Sequence, residues 1–143
     1  IRQAEIKDVK KIYQLISPLG NKGILMNRAK EQIEKDINHF YVIEHNHDLI
    51  GCAALYKYNL MAEIACFAIE REYQNKGYGN KLLKFCEKHS KKMGISEIFL
   101  FTTQSEHWFL EKEFISSKKE GMPIKRKKYY QTERNAKFFT KKL

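Results

Sequence analysis

The chain has 143 residues, of which 43% are hydrophobic, and its net charge is +10 at neutral pH. This size and composition are typical of a single globular domain over residues 1–143 and exclude a disordered or fibrous chain. The longest hydrophobic runs are too short to span a bilayer, and the charged N-terminal residues do not resemble a signal peptide. We therefore expect a cytoplasmic protein without membrane contact.

The first forty residues predict a short strand, residues 1–4, and then two helices. Hydrophobic residues recur at helical spacing over residues 9–16, and we expect Pro18 to follow the end of that helix. Residues 19–23 are predicted to form a loop. Asn27 is the candidate N-cap of the second helix.

The rest of the chain predicts a sheet with helices packed on it. Two strand-like runs are separated by a turn and predict a hairpin, and a third strand follows. A helix with a buried stripe from Leu82 to Met93 comes next, and Gly94 is placed to end it. The strands are predicted at residues 40–45, 49–58, 62–70, 97–102, 114–117 and within 134–143, with a short helix at 106–112.

A glycine-bearing loop of the form Q-x-x-G-x-G, residues 74–79, lies between the third strand and the long helix. Glycines let the backbone approach a ligand closely, and the first N–H groups of a helix bind phosphate oxygens well. The loop is neither the G-x-G-x-x-G of dinucleotide folds nor a P-loop. A phosphate-binding loop and a simple tight turn are both consistent with the hexapeptide alone.

The cysteines and histidines do not indicate a metal site. Cys52, Cys66 and Cys86 form no C-x-x-C pair, and His45 and His47 have no second cluster nearby. Buried thiols in a reducing compartment explain the cysteines better than zinc or disulfides do. We expect no metal.

Positive charge is concentrated at the C-terminal end, where ten Lys or Arg follow residue 117 against Glu120 and Glu133. A basic surface favours anionic partners, but charge does not separate nucleic acid from an anionic cofactor or substrate. The run KRKKYY, residues 125–130, could hold phosphates and stack bases. An RNA-binding module without catalysis is therefore the alternative of a different class, although no recognised RNA-binding motif accompanies the run.

The order of strand, Q-x-x-G-x-G loop, helix, strand and short aromatic helix resembles the GNAT superfamily of N-acetyltransferases. Within it, five stretches are similar to the acetyltransferase domain of N-acetylglutamate synthase. The resemblance implies an α/β fold with a mixed, mostly antiparallel sheet of about six or seven strands flanked by about four helices. The stretches are GILMNR (23–28), CAALY (52–56), AEIACFAI (62–69), TTQSEHWF (102–109) and the basic end around Arg134.

The resemblance also implies acetyl-CoA as the cosubstrate. Its pyrophosphate would bind the loop, and its pantetheine arm would lie where strand 62–69 splays from strand 97–102. The residues implied in cofactor binding are Cys66, Phe67, Ala68, Ile69, Gln74, Asn75, Lys76, Gly77, Tyr78, Gly79 and Phe109.

For catalysis, the resemblance implies that Glu63 is the general base, acting through a water on the α-ammonium of L-glutamate. Leu25, Arg28, Cys66 and Arg134 would bind this anionic amino acid. Acetylation of glutamate would be the first step of arginine biosynthesis. The same fold acting on a different amino acid or small amine is the nearest alternative.

Four departures from the family pattern bear on these roles. The family tends to have two consecutive arginines where this chain has Asn27 and Arg28. Phe109 stands where many members have a tyrosine that is the proposed general acid, Glu113 where a glycine is usual, and Ala136 where a serine is common. No stretch resembles the arginine-binding amino-acid-kinase domain of longer synthases, so we expect no feedback control through such a domain. A homodimer and a separate regulatory partner are the possible protein partners.

Overall fold

A computed structural model describes residues 1–127 and 136–143. Seven strands form one sheet in the order β1-β2-β3-β4-β5-β7-β6, in which only β4 and β5 are parallel neighbours. The predicted mixed, mostly antiparallel sheet is confirmed. The strands are β1 (Arg2–Gln3), β2 (Phe40–His45), β3 (Asp48–Tyr58), β4 (Met61–Ile69), β5 (Glu97–Thr102), β6 (Ile115–Ser116) and β7 (Lys137–Lys142), and the α-helices are α1 (Val9–Asn21), α2 (Lys30–Lys35), α3 (Tyr78–Lys92), α4 (Glu106–Glu111) and α5 (Ile124–Lys127).

Hydrophobic clusters lie on both faces of the sheet. Helices α1 and α2 pack on one face, where Ile12 and Ile33 are fully buried. Helix α3 packs on the other, where Leu82 is fully buried. Because side chains alternate along a strand, β3 contributes Ala54 to the first cluster and Ala53 to the second. No helix in the described part of the chain has the length and hydrophobicity needed to cross a membrane.

Strand β4 contains a bulge at Cys66, whose φ is 53°. Before the bulge Ile64 faces the α3 cluster, and after it Phe67 does. The bulge inserts one residue, so Ala65 and Cys66 both face the α1 side. Strict alternation places Glu63 on that same side. The bulge thus directs Glu63 and Cys66 toward one half of the molecule.

Strands β4 and β5 separate after a short contact. They pair only where Met61 to Glu63 face Glu97 to Phe99, and from Ile64 onward β4 has no register partner in β5. The predicted splay of these two strands is confirmed. A gap therefore opens in the middle of the sheet, directly after Glu63.

Two local predictions are wrong, and one short helix was not predicted. Helix α1 continues through Pro18 to Asn21, because the fixed φ of proline is helical and Pro18 lies in the last turn, where few hydrogen bonds follow it. Helix α2 begins after Ala29 rather than at an Asn27 cap, and the Ala29 N–H lies 3.4 Å from Oε1 of Gln32. Helix α5 was not predicted, because its four residues are mostly charged and too few to show a hydrophobic period.

Candidate active site

A cavity of about 1060 Å³ occupies the gap between β4 and β5. It extends from the loop before α3 to residues near α2 and α5, and it brings together residues that are far apart in the sequence. The predicted site residues that line it are Leu25, Arg28, Glu63, Cys66, Phe67, Ala68, Ile69, Gln74, Asn75, Gly77, Gly79 and Phe109. Arg134 lies outside the described residues.

The glycine-bearing loop joins the end of β4 to the start of α3. The Gln74 side chain donates from Nε2 to the carbonyl of Ile69 at 3.0 Å, which closes the loop onto the strand. Asn75 and Gly77 have left-handed φ values of 62° and 89°. Gly77 is the N-cap of α3, so the unpaired N–H groups of the first helical turn lie at the cavity wall beside Gly79.

Two side chains of the loop do not line the cavity. The Lys76 ammonium lies 5.8 Å from the ring centroid of Tyr73, and the Tyr78 hydroxyl is 3.0 Å from Nδ1 of His45. These contacts form an aromatic cluster on the outside of the loop. Lys76 and Tyr78 would therefore contact a ligand in the cavity through their backbone, and the Lys76 ammonium would attract an anionic ligand from a distance.

The carboxylate of Glu63 is buried and paired with Arg126 of α5. Nε of Arg126 donates to Oε1 at 2.6 Å, and Nη2 donates to Oε2 at 3.3 Å. Cζ of Arg126 lies 4.5 Å from the ring centroid of Phe101, and Nη2 lies 3.5 Å from Sδ of Met26. A charge-assisted pair of this kind holds Glu63 in one position at the floor of the cavity.

Arg28 belongs to a second hydrogen-bonded network, on the same side of the sheet as Glu63. Its Nη1 donates to the Tyr56 hydroxyl at 3.2 Å, and that hydroxyl donates to Oδ2 of Asp36 at 3.0 Å. Burial raises the pKa of Tyr56, so this phenol stays protonated and can keep donating. These two hydrogen bonds fix the Arg28 side chain where it lines the cavity.

The Cys66 side chain is a buried thiol. Burial raises the pKa of Cys66 to about 11, against a partial opposing effect of the Arg28 charge. The thiol is therefore protonated at neutral pH and is a poor nucleophile. No cluster of three or more metal-ligating side chains occurs among the residues that the structure describes.

Phe109 forms part of an aromatic wall. It is buried, with its ring centroid 6.2 Å from that of Phe67 and 5.5 Å from that of Phe114. Trp108 lies beside it, with its ring 3.5 Å from the position of a Cβ built on Gly79. A phenylalanine satisfies this packing but supplies no proton donor.

Arg126 is the site residue that the sequence analysis did not find. It lies in the basic run that suggested RNA, and its partner Glu63 is 63 positions away in the chain. Its only signal was that KRKKYY contains one arginine among lysines. The structure shows instead that Arg126 is 4% exposed, so it is a buried part of the site rather than a solvated charge.

Comparison with known proteins agrees with this architecture. The model of the Acetyltransferase (GNAT) family matches residues 7–111. An amino-acid acetyltransferase of Pseudomonas putida is 41% identical over an alignment of 145 residues that covers all of this chain and 34% of that protein.

Two solved structures of N-acetylglutamate synthase from Neisseria gonorrhoeae are also similar. One, complexed with coenzyme A and N-acetyl-glutamate, has a TM-score of 0.95 at 36% identity and matches 99% of this chain and 34% of that one. The other, complexed with coenzyme A and L-arginine, has a TM-score of 0.88 at 35% identity and matches 99% and 32%. The chain spans about a third of the length of these relatives. The family match, the identity across the whole chain and the shared fold together show that this chain belongs to the acetyltransferase (GNAT) family.

Proposed function

We propose that the chain is an acetyl-CoA-dependent N-acetyltransferase that acetylates the α-amine of L-glutamate, giving N-acetyl-L-glutamate and CoA. The observation that carries the proposal is one cavity that joins the glycine-bearing loop to a buried carboxylate and two arginines. The coenzyme A and N-acetyl-glutamate in the similar Neisseria structure support it. Its place would be the first step of arginine biosynthesis, in the cytoplasm.

Acetyl-CoA would bind along β4. The pyrophosphate would bind the loop, where Gly77 and the first turn of α3 offer N–H donors without a Cβ in the way. The pantetheine arm would extend beside Cys66 to Ile69, where β5 has already diverged and its place in the sheet is open to another hydrogen-bonding chain. N–H groups of this stretch would stabilise the oxyanion of the tetrahedral intermediate.

The acetyl group would be transferred by direct attack of the substrate amine on the thioester. The substrate ammonium loses a proton to Glu63, directly or through one water, and the amine nitrogen then bonds to the thioester carbonyl carbon. The tetrahedral intermediate collapses with cleavage of the C–S bond, and the nitrogen gives its second proton to water as the amide forms. The CoA thiolate takes a proton from water, because Phe109 has none to give.

A covalent acetyl-cysteine route is disfavoured by the state of Cys66. The thiol is buried and its pKa is raised to about 11, so the thiolate needed for attack is scarce at neutral pH. Direct transfer needs no thiolate, because both protons that it removes come from the substrate nitrogen. Glu63 is the buried carboxylate that lines the cavity and can accept the first of these protons.

The second candidate function is the same acetyl transfer to a different amino acid or small amine. Asn27 departs from the family pattern at a position tied to glutamate binding and is exposed rather than buried in the cavity wall, and Ala136 stands where a serine is common. These departures leave the acetyl-CoA half of the proposal untouched. They bear only on which side chain the substrate carries.

The test is CoA release measured with a panel of amino acids and amines at saturating acetyl-CoA. Glutamate is expected to give the highest kcat/KM, with N-acetyl-L-glutamate identified by mass spectrometry. CoA release with another amine but none with glutamate would mean that the chain is an acetyltransferase with a different substrate. Absence of both acetyl-CoA binding and turnover, together with salt-dependent binding to a random RNA oligonucleotide, would favour the RNA-binding module.

A further inference from the structure

Arg126 engages the two oxygens of Glu63 unequally. Its Nε bond to Oε1 is 2.6 Å long, whereas its Nη2 bond to Oε2 is 3.3 Å long. The guanidinium also packs on the ring of Phe101, which fixes its plane. One oxygen of Glu63 is therefore held tightly, and the other is held by a contact that is long for a charged pair.

Two nitrogens in this cavity wall have no acceptor within the described residues. They are Nη1 of Arg126 and Nε of Arg28, and both are buried. Buried charged donors are almost always paired, because leaving one unpaired is costly. The wall therefore holds two buried donors that neither Glu63 nor Tyr56 satisfies, and a second anion would satisfy them. A carboxylate matches this deficit, since its two oxygens fit the forked N–H groups of a guanidinium.

We propose that Arg126 selects amines that carry a carboxylate, by exchanging part of its contact with Glu63 for a contact with the substrate. The substrate carboxylate binds Nη1 and Nη2 of Arg126, with Nε of Arg28 as a further donor. Nε of Arg126 keeps its bond to Oε1 of Glu63. Oε2 is released from Nη2 and becomes the atom that accepts the proton of the amine. This inference rests on the proposed function, because it requires Glu63 to be the base.

The exchange links binding to catalysis. An N–H bond of the substrate ammonium breaks and an O–H bond forms at Oε2 only after the carboxylate has drawn Nη2 away. An amine without a carboxylate leaves Arg126 on both oxygens, so the proton acceptor stays occupied. Arg126 therefore influences kcat as well as KM, and it does so according to the chemistry of the substrate.

The experiment measures discrimination rather than activity alone. The amino acid that the wild type acetylates and its carboxamide analogues (for glutamate, glutamine and isoglutamine) are compared by kcat/KM in the wild type, Arg126→Lys and Arg126→Gln. Glutamine keeps the α-carboxylate and isoglutamine keeps the side-chain carboxylate, so only one of them lacks the group that binds Arg126. For that analogue we expect the ratio of carboxylate to carboxamide kcat/KM to fall by about 10- to 100-fold in both variants, whereas for the other analogue the ratio should change little. The fall should come mainly from the carboxylate substrate. A merely structural role would lower both substrates equally.

Arg126→Lys is expected to stay folded, because it keeps a positive charge beside Glu63. It lacks the forked guanidinium that can bind two carboxylates at once, so it still tests the inference. Lys125→Gln is the matched control, since Lys125 is an exposed cation on the same short helix, and its ratio should equal that of the wild type.

A folded Arg126→Lys enzyme that binds acetyl-CoA and keeps the wild-type ratio would overturn the inference and leave the proposed function standing. A wild type that acetylates no amino acid would remove both.

Discussion

Nε of Arg126 lies 2.6 Å from Oε1 of Glu63, and the two side chains are 5% and 6% exposed. This pair joins the middle of the sheet to a helix near the C-terminal end. The same contact therefore orders the candidate site and contributes to the stability of the fold. Removing a single partner of a buried ion pair leaves the other charge uncompensated, which typically costs about 3–5 kcal/mol. Changes at either residue therefore need a stability measurement beside the kinetic one.

Glu63→Gln is expected to lower kcat by about 10²- to 10⁴-fold, because the amide keeps the shape of the side chain but cannot take up a proton. Acetyl-CoA affinity should be unchanged, since the loop at Gly77 is separate from Glu63. Steady-state kinetics and calorimetry of acetyl-CoA binding measure the two quantities. Glu34→Gln, at an exposed position on α2, is the control. A folded Glu63→Gln enzyme with wild-type kcat would move the base elsewhere.

Gly77→Ala and Gly94→Ala form a matched pair at the two ends of α3. Both glycines have left-handed φ values, 89° and 79°, and a Cβ at either position meets nothing within 4 Å. Each substitution should lower the free energy of unfolding by about 1 kcal/mol through backbone strain alone. Only Gly77→Ala should also raise the KM for acetyl-CoA, because only Gly77 lines the cavity. Equal KM values in the two variants would remove the loop from cofactor binding.

Sequence pattern predicted those parts of the fold whose signal is local. The bounds of β5 were predicted without error, because a strand buried on both faces is a continuous hydrophobic run with polar neighbours. The bulge at Cys66 was not predicted, since a positive φ at a non-glycine residue leaves no compositional trace. Glu113, which replaces the glycine usual in the family, likewise has a φ of 71°.

The candidate site divides in the same way. The loop beginning at Gln74 was found because its chemistry is contiguous in the chain, and the resemblance supplied Glu63. Arg126 could not be found, because an ion pair across 63 positions is created by the fold alone. A basic run cannot reveal which of its cations is buried.

Cys66→Ala should retain activity within about tenfold of the wild type, because direct transfer requires no acetyl-enzyme. With a pKa of about 11, roughly one Cys66 thiol in 10³ is ionised at pH 8. Mass spectrometry of the wild type with acetyl-CoA alone should show no acetylated protein. Cys86→Ala is the control, since Cys86 is a buried thiol on α3 outside the cavity, with its pKa raised to about 12 by burial. An acetylated Cys66 would replace the direct mechanism with a two-step one.

Asp8→Asn should make the stability of the protein less sensitive to acid. Arg2 donates two hydrogen bonds to Asp8, at 2.8 and 3.0 Å, and holds the pKa of that carboxyl below its ordinary value of 3.8. A carboxyl whose pKa is lowered in the folded state stabilises the fold above its ordinary pKa, and this stabilisation is lost as the pH falls through the lowered value. Urea unfolding at pH 7 should show the variant less stable by about 2 kcal/mol. The gap to the wild type should narrow at about pH 2.5, whereas the exposed Asp48→Asn control should show little gap at either pH. A gap of equal size at both pH values would mean that Asp8 stabilises the N-terminal segment by packing and hydrogen bonding alone, without its charge.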